Sequence, residues 1–333
     1  MNSRFLPDTF TLLLLSTVVL ASFLPIGGNA AVYFGLATKF AIGLLFFLHG
    51  ARLSREVVVA GLLHWKLHIV ILAATFVLFP LLGLTTSVLV PGILSPSLYA
   101  GIVFLCVLPS TVQSSIAFTS MAGGNVPAAI CAASASNISG MFLTPLLAGV
   151  LLTASGHAGF SLDALQSIML QLLAPFVLGQ ILQPWIGNFI RSKNKILMPV
   201  DRGSILMVVY SAFSQSVNDG LWQTTSLHDL GILLVIDIVI LAIVLAVTMF
   251  GSRLLGFSKP DEIAITFCGS KKSLASGVPI ANVIFAGQSI GSIILPVMLF
   301  HQIQLIVCAV IARRYARANV RKNAGVGSVT VSH

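Results

Sequence analysis

Ten apolar stretches follow one another along the chain, parted by short polar connectors, at 8–26, 33–51, 67–90, 98–121, 125–153, 162–188, 203–219, 230–251, 261–285 and 291–312. A helix rises about 1.5 Å per residue, so about 20 apolar residues cross a hydrocarbon core about 30 Å thick. The pattern predicts an all-α polytopic membrane protein with ten transmembrane helices. Ten spans divide into two fives. Five is odd, so the second five enters the membrane from the opposite side, which gives two inverted five-helix repeats. The expected halves are 1–156 and 157–315, followed by a cytoplasmic tail at 316–333. The first run resembles a signal peptide, with Arg4 ahead of Phe10–Leu24. A second apolar run follows at once, so the first is read as a membrane helix. The polar stretch from Asn319 onward predicts a disordered end.

Two of the ten stretches are interrupted near their middles. The fourth contains LPSTVQSS, where Pro109 removes a backbone donor and disfavours helix at the residue before it. The ninth contains CGSKKS, with Gly277 and Pro279 just beyond. Each is the fourth span of its half. Irregular backbone at that depth survives only where it is buried in protein or lines a watery cavity. Paired broken helices at matching positions point to the binding site of a secondary transporter. Two discontinuous helices, the fourth and ninth, are therefore expected to build a central site. Its candidates are Ser110, Thr111, Gln113, Ser114 and Ser115 on the first, and Ser270, Lys271, Lys272 and Ser273 on the second. The fifth stretch is crowded with Ala, Ser and Gly, so it packs closely against the broken pair. It adds Ser134 and Asn137, which suit either a cavity wall or helix-to-helix hydrogen bonds.

Composition agrees with a bilayer setting: 57% of the 333 residues are hydrophobic and only 8% charged, against about 25% charged in soluble domains. The net charge of +9 does not signal nucleic acid, because its distribution is that of a membrane topology. With the N-terminus in the cytoplasm, fifteen of the eighteen lysines and arginines fall on that side: Arg4, then Arg52, Arg55 and Lys66, then Arg191 to Arg202, Arg253 with Lys259, and Arg313 to Lys322. Only Lys39 falls outside, and Lys271 and Lys272 lie within the ninth span. Both termini are expected in the cytoplasm, with the chain in the plasma membrane. Trp65, Trp185 and Trp222 stand at span ends, as interfacial anchors do. Cys106, Cys131, Cys268 and Cys308 lie in apolar runs without CxxC spacing and read as packing residues. His64 and His68 have the spacing of a metal pair but no third ligand nearby, so no metal is expected. No GxxxxGK[ST] loop is present, which leaves gradient-driven or facilitated movement.

The run PSTVQSSIAFTSMAGGNVPAAI resembles the fourth and fifth helices of the bile acid:sodium symporter family, and CGSKKSLASGVPIANVIF resembles its ninth helix, most closely in the SBF-like branch. The resemblance covers nearly the whole chain. It implies a core domain and a panel domain around two crossing discontinuous helices. The family's Ser-Asn sodium ligands fall on Ser114 and Ser115, so the serine is kept and the asparagine is not. Its hydroxyl ligands on the fifth helix fall near Ala129 and Ala133, with Ser134 and Asn137 close by. On the ninth helix its acidic residue falls on Phe267, while Gly269 and Ser273 are kept and Lys271 and Lys272 replace glutamine and asparagine. The carboxylate that would bridge two sodium ions is absent, and cations stand beside its place.

A lysine at the bilayer centre costs about 3 kcal/mol on insertion scales, so the pair needs a reason. An ammonium fills the electrostatic role of a bound sodium ion. Lys271 in the first place, and Lys272 in the second, is therefore expected to replace or modify the sodium site. Desolvation favours a neutral amine, so either lysine also suits carriage of a coupling proton. The alternative is an anchor on helix C-terminal carbonyls. Asp237, inside GILLVIDIVILAIV, is a second proton-coupling candidate, with Lys271 or Lys272 as its expected partner and outer-leaflet water as the alternative. His301, beside Gln302 and Gln304, is a third. Cations and half-helix N-termini favour an anionic organic solute. The leading reading is a secondary transporter of a small, anionic organic solute by alternating access, with the solute and the lipid bilayer as its partners, no cofactor beyond Na+ or H+ as coupling ion, and the oligomeric state left open. A sodium-coupled symporter with a relocated cation site and a non-transporting regulator of the same fold are alternatives. An intramembrane Ser-Lys enzyme on Ser270 or Ser273 is remote, because it leaves the broken helices unexplained.

Overall fold

A computed structural model describes residues 9–52, 64–154, 162–285 and 290–327. Each apolar stretch is helical at its place in the chain. The first half gives α1 (Thr9–Phe23), α2 (Gly28–Arg52), α3 (Trp65–Leu89), α4 (Pro96–Val107), α5 (Gln113–Met121) and α6 (Val126–Ala154). The second gives α7 (Leu162–Ser192), α8 (Asn194–Asn218), α9 (Leu227–Leu254), α10 (Lys259–Gly269), α11 (Leu274–Ile284) and α12 (Gly291–Gly327). No strand occurs among the described residues. The helices α2, α3, α6, α8, α9 and α12 are long and apolar enough to cross a membrane, as a polytopic membrane protein requires. Their outer faces carry exposed Phe40, Val235 and Phe250, which lipid covers at no cost in hydration.

Local chemistry sets the helix boundaries. Ser226 and Asp229 form a reciprocal capping box at the start of α9. Ser258 caps α10 ahead of Pro260, and Ser273 caps α11 by accepting from Ser276 N at 3.1 Å. In the first turn of α10, Glu262 accepts from Arg253, Lys259 and Tyr315 at 2.8–2.9 Å, tying α9, α10 and α12 together. One expectation fails: the backbone of 319–327 continues α12 as helix rather than forming a disordered tail. Residues 328–333 lie outside the described residues, as do Arg4 and Arg55 of the charge pattern.

The interior is aromatic and aliphatic. Phe79 packs edge-on to Phe300 at 5.8 Å, and Phe104 to Phe285 at 5.4 Å. Elsewhere small residues let backbones meet: a Cβ on Gly50 of α2 would fall 2.1 Å from the Phe176 carbonyl oxygen of α7, and one on Gly179 of α7 2.1 Å from that of Phe47. All four cysteines are free thiols.

Candidate functional site

The two interruptions are 108–112, between α4 and α5, and 270–273, between α10 and α11. They meet, and each supplies what the other lacks. Leu108 is extended (φ −68°, ψ 153°), as the residue before a proline prefers. Ser273 N donates to Pro109 O at 2.8 Å. Ser110 Oγ donates to Cys268 O at 2.5 Å, and Ser115 Oγ to Phe267 O at 3.0 Å. The close-packed α6 completes the set. Asn137 Nδ2 donates to Ser110 O at 2.7 Å, Ser136 Oγ accepts from Ser110 N, and Thr144 Oγ1 donates to Val107 O. Buried backbone groups must find partners, and here side chains replace the missing helix ladder.

Lys272 has the same role with charge. Its ammonium has three donors, and Nζ donates to Thr75 O at 2.8 Å, Cys106 O at 2.7 Å and Leu108 O at 2.7 Å. Each acceptor is an orphan for a local reason. Ser110 N, which would have served Cys106 O, is taken by Ser136. Leu108 O lies in the break. Thr75 sits in a π-helical turn, Ala74–Leu78, where Phe79 N bonds Ala74 O and the next residue, Pro80, has no N–H to give. The Phe79 ring covers the ammonium with its centroid 4.1 Å away. Gln304 of α12 holds the lysine backbone from the far side: its Oε1 accepts from Lys272 N and its Nε2 donates to Lys272 O, both at 2.9 Å.

Lys271 is equally buried and handled differently. Its Nζ has no hydrogen-bond partner among the described residues. Aromatic faces surround it instead, Phe118 at 3.8 Å and Phe267 at 5.8 Å from ring centroid to nitrogen. Phe267, which the resemblance sets at the place of a carboxylate, presents its ring to a cation. Ser270 Oγ donates to Thr266 O at 2.6 Å rather than to a lysine.

The N-terminal ends of α5 and α11 open on a cavity of about 780 Å³. Thr111, Gln113 and Ser114 line it from the first break and Ser273 from the second. Ser134 and Asn137 line it from α6, and His301 and Gln302 from α12. Thr111 Oγ1 lies 2.7 Å from Ser114 Oγ and 3.2 Å from Ser115 Oγ. Ser110, Ser115, Ser270, Lys271 and Lys272 are buried behind that wall. The expected site therefore separates into a polar floor that faces the cavity and a cationic knot that holds the floor together.

The expected pairing of Asp237 with a lysine is absent: no ion pair joins them, and both carboxyl oxygens are buried without a hydrogen-bond partner among the described residues. Its other reading, contact with outer-leaflet water, also fails, since it is 0% exposed. His301 Nδ1 lies 2.9 Å from Gln304 Nε2, which links it to the Lys272 backbone. His68 is buried, and the described residues hold no grouping of three potential metal ligands. Sequence reading missed Ser276, whose hydroxyl donates to Asn137 Oδ1 at 2.9 Å. It missed Phe118 and used Gln304 only as company for His301. It also missed the ion pair of Arg52 and Asp201 in the cavity wall. A serine three residues after an N-cap was the one signal for Ser276; nothing local marked the 149-residue separation of Arg52 and Asp201.

The sequence model of the SBF-like CPA transporter family matches residues 8–317. The uncharacterized protein PA2026 of Pseudomonas aeruginosa is 58% identical over 94% of both chains. "Putative symporter YfeH" of Escherichia coli K12 is 53% identical over 93% of both. Sodium/bile acid cotransporter 7 of Rattus norvegicus is 28% identical over 86% of this chain and 85% of its own. The chain belongs to the SBF-like CPA transporter family, and it is a multi-pass membrane transporter rather than an enzyme.

Proposed function

We propose that this member of the SBF-like CPA transporter family is a secondary transporter in which the Lys272 ammonium stands where related cotransporters hold a cation. The carrying observation is the set of three backbone carbonyls, from α3, α4 and the first break, that converge on Nζ at 2.7–2.8 Å. Three converging carbonyls match the three donors of an ammonium and are oxygen ligands of the kind a bound monovalent cation takes. In this reading the ten helical stretches are ten spans in two inverted halves, and the two interrupted helices cross at the centre. A small, anionic organic solute occupies the cavity at the N-terminal ends of α5 and α11, where helix dipoles favour negative charge. Alternating access moves one domain against the other around that site. The chain lies in the bacterial inner membrane with both termini cytoplasmic, supported by the basic ends that collect around Arg52, Arg191 and Arg202.

The test is thermal unfolding of the purified protein, titrated with sodium at constant ionic strength and several pH values, with Lys271→Gln and Lys272→Gln beside wild type. A ligand that binds only the folded state raises stability by mass action. Wild type is expected to ignore sodium, and Lys272→Gln to acquire a sodium-dependent rise. Specific sodium stabilisation of wild type rejects lysine replacement and restores sodium coupling.

A further inference from the structure

Lys271 and Lys272 lie behind the cavity wall, so they do not touch a solute within it. Charge recognition must come from elsewhere. Arg52, at the C-terminal end of α2, lines the cavity, and its Nη1 pairs with Asp201 of α8. Its other donors, on Nε and Nη2, are buried without a hydrogen-bond partner among the described residues, as is Asp201 Oδ1. The ion pair is therefore half used on both sides. Nε and Nη2 form the guanidinium edge whose two parallel N–H bonds match the two oxygens of a carboxylate. Arg202 and Arg313 line the same cavity, and Asp201 is the one carboxylate among its described lining residues. The wall between is apolar, with Phe10, Met141, Phe176 and Leu305.

We propose that Arg52 is the anion-recognition residue of the cavity and takes the carboxylate of a small solute with an apolar body. Asp201 is its resting partner. When the solute enters, the guanidinium turns from Asp201 into the cavity and offers its free edge. Arg52 and Asp201 belong to helices of opposite halves of the chain, so the exchange also releases a tie between them. The inference rests on the transporter reading of this cavity and adds to it the substrate class and the residue that selects it.

The experiment titrates the full-length protein in detergent with 1-naphthylacetate and, separately, with its uncharged amide, and follows thermal unfolding. The acid is expected to raise the unfolding temperature of wild type saturably and the amide to leave it unchanged. Arg52→Gln abolishes the rise. Asp201→Asn, which removes the competing carboxylate, lowers the half-saturating concentration. Should Arg52→Gln fail to fold, Arg52→Lys keeps the charge without the fork and raises half-saturation about tenfold or more. Equal responses of wild type and Arg52 variants, equal responses to acid and amide, or no response of wild type to the acid overturns the proposal. None of these outcomes alters the sodium titration, so failure here removes Arg52 and the carboxylate class while the cation reading stands or falls on its own result.

Discussion

At the scale of single residues, two adjacent lysines occupy opposite situations. Lys272 satisfies three buried carbonyls. Lys271 satisfies none and rests on aromatic faces. Leaving a buried polar group without a partner costs about 1–3 kcal/mol. Lys272→Met orphans three, so it is expected to lower the unfolding temperature steeply, and Lys272→Gln, which keeps an amide donor, to do so less. Lys271→Met loses a cation–π contact of about 2 kcal/mol but also removes the desolvation penalty of a charge. It is expected to stay within about 1 kcal/mol of wild type. Thermal unfolding of the three variants side by side checks this, and equal losses at both positions contradict the hydrogen-bond accounting. The sequence marked both lysines as exceptional because charge in an apolar run has no bland explanation. It could not tell them apart. Their difference comes from acceptors far away in the chain, above all the Thr75 carbonyl, orphaned by the missing N–H of Pro80. Asp237 was misjudged for the same reason, since an isolated acid in an apolar run says nothing about what lies opposite it.

At the scale of elements, the interruptions were legible because their causes are local. Pro109 disfavours continuation of α4 and the polar residues after it complete the break, whereas Pro145 and Pro296 sit inside continuous helices; the polar run CGSKKS is likewise out of place in an apolar helix. The expected polar runs, Leu108–Ser115 and Cys268–Ser273, contain the observed breaks at 108–112 and 270–273. The spans 98–121 and 261–285 appear as Pro96–Met121 and Lys259–Ile284, each in two pieces. The packing of α2 on α7 was not legible, because glycines in membrane helices serve several purposes. The structure separates those purposes. Gly50 and Gly179 each face a carbonyl oxygen 2.1 Å from where a Cβ would sit, whereas Gly43 on the same helix α2 faces open space. Gly50→Ala and Gly179→Ala are therefore expected to force α2 and α7 apart and to destabilise by several kcal/mol, in the range of overpacked cores or beyond. Gly43→Ala is expected to be neutral or to stabilise by about 0.5–1 kcal/mol, the helix-propensity difference. Comparing unfolding temperatures of the three alanine variants decides it. Destabilisation by all three alike points to a general intolerance of α2 and not to this interface.

At the scale of the whole molecule, the direction in which the cavity opens follows from charge. Arg52, Arg202 and Arg313 line it, and in the proposed topology, with both termini cytoplasmic, all three lie on the cytoplasmic side. With the proposed topology, the proposed solute site is expected to be reached from the cytoplasm in this conformation. Gln113, exposed at the start of α5 and on the cavity wall, reports on this directly. Among the native thiols Cys106, Cys268 and Cys308 are buried and only Cys131 is partly exposed, so Cys131→Ser provides a quiet background. In that background Gln113→Cys is expected to react with a membrane-impermeant maleimide in inverted vesicles and to be protected in right-side-out ones. Tyr33→Cys, at an exposed position near the N-terminal end of α2, is expected to do the reverse. Labelling of Gln113→Cys from the outer face alone means either that the chain is inserted the other way or that the outward-open state predominates in the membrane. Tyr33→Cys separates the two, because it changes sides with the topology and keeps its side when only the cavity has switched.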